Sequence, residues 1–117
     1  MIQSTSIQPV STSEMRDVEN WGVSLGVSKL MMMENAGHCI AEEVLKILSR
    51  RSVEKRRGVK VAFLAGTGNN GGDAFVAARY LSYWKSRGIS IDVFLIGAEN
   101  DIKAYEAICN WKILRNL

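Results

Sequence analysis

The residues best equipped for chemistry lie together in Gly66-Thr67-Gly68-Asn69-Asn70-Gly71-Gly72-Asp73. Glycines let backbone N–H groups approach a ligand closely. Asn69 and Asn70 bring amide donors and carbonyl acceptors, and Asp73 brings a carboxylate. The segment contains Gly-x-Gly-x-x-Gly, a spacing that supports dinucleotide binding only in the right surroundings. Two features oppose the standard form of that site. An acid should end the second strand and hold a ribose. Asp92 has the spacing, 21 residues after Gly71, but Val93 to Ile96 carry the strand past it, and Glu99 at the right end is 28 residues away. Asp73 also falls at the start of the next helix, where its charge repels phosphate at close range. The loop therefore suits a polyhydroxylated or amide-bearing ligand, with a monovalent cation as a second guest. No Gly-Lys-Ser/Thr follows, which excludes a nucleotide-hydrolysing phosphate loop. A plain turn is the simpler reading, with Asn-Gly supplying the bend and Asp73 capping the helix. The glycines, two Asn and an Asp are more than a turn requires, so a ligand site is favoured.

The surrounding pattern says what positions this loop. Val59 to Ala65 is a short apolar run that reads as a buried strand, and Gly66 to Gly72 as the loop. Asp73 to Arg87 reads as a helix with Ala74, Ala77, Ala78, Leu81 and Trp84 inward and Gly88 as its stop. Ile89 to Ile96 is a second strand, and Asp101 can cap a last helix with Ala104, Ile108, Trp111 and Leu114 inward. Upstream, Ser11 and Glu14 have capping-box spacing, so a short helix starts near Ser13 and stops around Trp21-Gly22, before a loop to Val27. Ser28 caps a helix to about Ser49 whose stripe is Leu30, Met33, Gly37, Ile40, Ala41, Val44 and Leu48. Glu34, His38, Glu42 and Lys46 follow at steps of four as a solvated row, which makes His38 a surface residue rather than a base. Asn35 sits beside Met31 and Cys39, a buried setting in which it either braces the Asn69–Asp73 loop or satisfies local backbone. Met31-Met32-Met33 reads as core or as the surface of a homodimer.

A strand, a crossover helix and a second strand imply parallel pairing. Both strands are apolar at nearly every position, so each expects cover on both faces and partners on both edges. The fold class is α/β, a Rossmann-like three-layer α/β/α arrangement with a parallel sheet. Two such strands make an incomplete, N-terminal portion of it, with residues 1–12 as a flexible tail and 13–117 as the domain.

The chain has 117 residues, 47% hydrophobic and 23% charged, the mix of an ordinary globular protein. No apolar run approaches the ~18 residues of a membrane span, and the N-terminus lacks the features of a leader. The net charge of +3 is local: Arg50, Arg51, Lys55, Arg56, Arg57 and Lys60 with Glu54 give +5, leaving −2 elsewhere. Without interleaved aromatic residues this segment reads as a solvated linker, and no nucleic acid is expected. Cys39 and Cys109 form no metal-binding pair and read as buried, reduced thiols of a cytoplasmic protein.

Gly68-Asn69-Asn70-Gly71-Gly72-Asp73, followed by Ala74-Phe75-Val76-Ala77-Ala78-Arg79-Tyr80-Leu81, resembles the signature of the YjeF N-terminal domain, the NAD(P)H-hydrate epimerase family. Met33-Glu34-Asn35-Ala36-Gly37 resembles its second marker, and Asn110-Trp111-x-Ile113-Leu114 the end of its next helix. The resemblance implies an isomerase that interconverts the R and S epimers of NADH or NADPH hydrated at C6. It implies substrate contact at Asn69, Asn70, Gly71, Gly72 and Asp73, and a potassium ion held with help from Asn70. The family's acid-base Asp would come from strands beyond Leu117. The alternative implied is an inactive fragment or scaffold that binds a nucleotide-like ligand or a protein partner.

Overall fold

The structure is a computed structural model that describes residues 8–50 and 58–117. Most of the basic segment, residues 51–57, and the first seven residues of the expected tail lie outside the described residues.

Helix α1 (Thr12–Ser24) begins at Ser11, whose hydroxyl accepts from the Glu14 N–H while the Glu14 carboxylate accepts from the Ser11 N–H at 2.7 Å. The capping box is as expected, but the helix outlasts Trp21-Gly22. The Leu25 N–H still reaches the Trp21 and Gly22 carbonyls, and the chain turns only at Gly26, whose φ is +97°. Helix α2 (Lys29–Ser49) is capped by Ser28. It buries Met33, Gly37, Ala41 and Leu48, whereas Leu30 and Ile40 fall at the exposed margins of the expected stripe.

Strands β1 (Val59–Ala65) and β2 (Ile89–Leu95) pair in parallel, from Val59 opposite Ile89 to Ala65 opposite Leu95. Helix α3 (Asn69–Ser82) crosses between them, and a 3₁₀ turn at Lys85–Arg87 ends at Gly88 with φ +83°. Trp84 lies just before that turn, past the end of α3, and packs on Leu48, Val59 and Ile89. Asp101 does not cap the last helix. Its carboxylate accepts from the Ala98 N–H within a 3₁₀ turn, and α4 (Tyr105–Arg115) starts later, at Ala104.

The core forms around α3, in which the successive residues Phe75, Val76, Ala77 and Ala78 are all buried. A helix apolar all round must be covered all round. Here α2 flanks it on one side, α4 on another, and Val61, Phe63, Ile91 and Val93 of the sheet lie beneath. Phe75 meets Trp111 of α4 at 4.9 Å between ring centroids. Asn110 is buried to 3% exposure and donates to the Glu106 carbonyl.

This is the expected α/β, Rossmann-like arrangement of parallel strands joined by a crossover helix. The described residues supply two of its three layers. The opposite face of the sheet is open, with Leu64 74% and Phe94 51% exposed.

Candidate functional site

The chain leaves β1 at Ala65, and only Gly66, Thr67 and Gly68 separate it from α3. The expected loop is thus shorter than Gly66 to Gly72. Asn69 and Asn70 open the helix, and Asp73 lies one turn inside it, so it is not the cap. Gly68 takes the cap position with no side chain to offer. The glycines divide by role. A Cβ on Gly71 would lie 2.8 Å from the Gly66 carbonyl carbon and nearer still to its oxygen. A Cβ on Gly72 would meet Met33 Cε at 2.5 Å and Ala107 Cβ at 3.1 Å. A Cβ on Gly37 of α2 would be equally crowded, 2.8 Å from the Asp73 carbonyl oxygen. These three let backbones approach each other. Gly66 and Gly68 face open space, with nothing within 4 Å of an added Cβ.

That packing sets Asn69, Asn70 and Asp73 along the wall of a cavity of about 140 Å³. Lys29, Met32, Met33 and Ala36 of α2 line it as well, with Glu19 of α1 and Glu106 of α4. Asn69 and Asn70 are exposed and Asp73 is half-buried. Burial, and after it the charge of Glu19, push the Asp73 carboxyl above its ordinary value. The cavity offers amide donors and acceptors, carboxylates and a single ammonium, a set that can hold hydroxyl and carboxamide groups.

The site residues expected from sequence thus separate. Asn69, Asn70 and Asp73 come together at the cavity. Gly71 and Gly72 are buried behind it. Asn35 is not buried: α2 turns its Met33–Gly37–Ala41 face inward, which leaves Asn35 exposed with Met31 and Cys39, while its neighbour Ala36 lines the cavity. Cys109 is half-buried, so neither thiol is a core residue, and both are free.

The expected solvated row on α2 is also corrected at one position. Glu34 accepts from Arg79 Nη2 and from the Tyr80 hydroxyl, the latter at 2.8 Å. Burial alone would raise its pKa, but the bonds from Arg79 and Tyr80 outweigh that and hold it below the usual carboxylate range. This clamp ties α2 to α3 through residues that do not line the cavity. His38 is exposed as expected, its ring tilted against that of Tyr80 at 4.7 Å between centroids, outside the cavity. Among the described residues, no group of three or more His, Cys, Asp or Glu is placed to hold a metal ion. No helix among them is long and apolar enough to cross a membrane.

A family model described as YjeF-related protein N-terminus matches residues 29–117. The chain belongs to this family. Its YjeF-related stretch runs from α2 to α4 and holds every wall of the cavity except Glu19. The chain is 41% identical over 108 residues to a bifunctional NAD(P)H-hydrate repair enzyme Nnr of Methanocaldococcus jannaschii, covering 92% of this chain and 19% of that protein. It is 40% identical over 108 residues to an NAD(P)H-hydrate epimerase of Cenarchaeum symbiosum, covering 92% of this chain and 46% of the relative. It is 32% identical to the NAD(P)H-hydrate epimerase of Nitrosopumilus maritimus over the same shares of each chain. The YjeF-related chain therefore spans less than half the length of these curated relatives.

Sequence reasoning missed Glu19, Lys29 and Glu106 as cavity residues. Each belongs to a different helix, and periodicity within one helix does not say which residues meet between helices.

Proposed function

We propose that this chain carries the substrate-binding segment of an NAD(P)H-hydrate epimerase, which interconverts the R and S epimers of hydrated NADH and NADPH. The observation that carries the reading is the convergence of Asn69, Asn70 and Asp73 on one cavity at the carboxyl end of β1. Open α/β sheets bind ligands at that end. Hydration of the nicotinamide ring at C6 adds a hydroxyl across the ring from the C3 carboxamide, and both need donors and acceptors. The two Asn amides supply both, and the Asp73 carboxylate accepts from a hydroxyl. The names of the relatives support the same reaction.

The proposal includes a potassium ion. Oxygen donors suit a hard cation, and Asn70, with Asn69 and Asp73 beside it, offers amide and carboxylate oxygens. The ion would supply fixed positive charge to a polar ligand group. The proposal also includes a homodimer, which the exposed apolar residues Met31, Leu30 and Ile40 of α2 support, and a cytoplasmic setting, where the free thiols stay reduced.

The test joins this chain to the C-terminal remainder of the Cenarchaeum symbiosum epimerase and follows purified R-NADH hydrate by chromatography. The folded chimera should speed the return to the epimer mixture, and Asn70→Ala or Asp73→Ala should slow it by about 10²-fold, the scale of a lost oriented polar group. A folded chimera that leaves exchange at the spontaneous rate would contradict the proposal.

A further inference from the structure

Asn110 of α4 is the one buried polar side chain among the described residues. It packs against Met33, which belongs to an apolar cluster with Ala65, Phe75, Val76, Ile102 and Ala107. A polar group in such surroundings costs stability unless it is hydrogen-bonded. An apolar side chain of the same shape would fill the space as well. The Asn110 amide nitrogen donates to the Glu106 carbonyl at 3.0 Å and to the Met33 sulfur at 3.5 Å. The first bond stays within α4, so the bond to sulfur is what the side chain adds between helices. Asn110 itself does not line the cavity, but Met33 and Glu106 both do.

Met33 needs such a bond. Its side chain is unbranched, has three rotatable bonds and adapts to irregular space. Its far end nevertheless has to stay in one place. A Cβ on Gly72 would lie 2.5 Å from Met33 Cε and 2.6 Å from its sulfur. The thioether thus rests directly on the turn of α3 that carries Asn69, Asn70 and Asp73.

We propose that Asn110 is a positioning residue of the ligand site: its amide holds the Met33 sulfur against Gly72, and through that turn sets Asn69, Asn70 and Asp73 at the cavity. The inference rests on the reading of the cavity as an NAD(P)H-hydrate site and adds how its wall is held from behind.

The experiment uses the chain labelled with ¹³C at methionine methyls and ¹⁵N at amides, as wild type, Asn110→Leu, Met33→Leu and the double variant. Leucine at 110 keeps the branching of the side chain and removes the donor. Leucine at 33 conserves volume and removes the sulfur, so it carries the same test should Asn110→Leu fail to fold. Each protein is followed by urea denaturation, by its ligand-free spectrum and by its affinity for NADH hydrate. Asn110→Leu should keep the urea midpoint of wild type and shift the Met33 methyl and the Asn69 and Asn70 side-chain amides. It should weaken hydrate binding by about three- to tenfold, the scale of one hydrogen bond. The double variant should lose no more than the larger single loss, because both substitutions remove one contact. Wild-type affinity in a folded Asn110→Leu, or losses that add in the double variant, overturns the inference. So does a loss that tracks a lowered urea midpoint, which makes Asn110 a packing residue only. If none of the proteins, wild type included, binds hydrate at millimolar concentration, the functional reading fails. The ligand-free amides then decide the positioning by themselves, and unmoved Asn69 and Asn70 overturn it.

Discussion

Gly71→Ala should destabilise this protein even though it improves the helix. Gly71 is the third residue of α3, and alanine is a better helix former than glycine by about 1 kcal/mol. On propensity alone the substitution would stabilise. The geometry opposes it. The new Cβ would stand 2.8 Å from the Gly66 carbonyl carbon and closer to its oxygen, against the ~3.5–4.0 Å of a relaxed contact between carbons. The obstacle is backbone at the end of β1, so no side chain can rotate away. Either the strand end or the first turn of α3 must move by most of an ångström. Overpacking of this kind costs about 1–3 kcal/mol and sometimes more, and a rigid backbone neighbour puts it at the upper end. The net loss is about 1–2 kcal/mol, or roughly 5–10 °C in Tm for a chain of this size. Urea denaturation followed by circular dichroism gives the number, with Gly68→Ala as the control. Gly68 has φ −90° and nothing within 4 Å of its Cβ position, so that variant should stay within about 1 kcal/mol of wild type. If Gly71→Ala proved as stable as wild type or more so, the close packing of Gly71 on Gly66 would be refuted, and with it the placement of Asn69 and Asn70.

Three further outcomes are expected. Glu34→Ala should cost about 1–3 kcal/mol in urea melts, because it strands the largely buried Arg79 guanidinium and the Tyr80 hydroxyl; the figure is below that of a fully buried pair because Glu34 is 39% exposed. The same clamp depresses the Glu34 pKa, so its contribution is present above its ordinary value of 4.5 and is lost as pH falls through the lower folded value. Asp73 works the other way: its pKa is raised above 3.8, so Asp73→Asn should be more stable than wild type at pH 7, with the gain vanishing as pH falls through the folded value toward 3.8. Asn110→Ala should destabilise by about 1–3 kcal/mol, since Asn110 of α4 is buried and packs against Met33 of α2.

Much of the fold was legible in the chain itself. Both strands were readable as apolar runs, and the parallel pairing followed from the helix between them. The start of α3 was not. Asn-Asn-Gly-Gly has turn chemistry, and only the tertiary approach of Gly71 to Gly66 and of Gly72 to Met33 makes it helical. The α4 boundary moved because Asp101 bonds Ala98 behind it instead of capping the helix ahead. Glu34 looked like one more member of a solvated row because its partners, Arg79 and Tyr80, lie 45 and 46 residues away. Half of the cavity was visible in Asn69, Asn70 and Asp73. Glu19 was not, since the inward face of α1 is the polar one, opposite to what amphipathic patterning implies.

On the proposed function, Asn69, Asn70 and Asp73 form one site for hydrated nicotinamide nucleotides. Titrating ¹⁵N-labelled chain with NADH hydrate, and following the side-chain amides of both asparagines, tests it directly. Saturable shifts at Asn69 and Asn70 that Asp73→Ala abolishes are the expected result. Unmoved amides at millimolar hydrate, with the protein folded, would contradict the account.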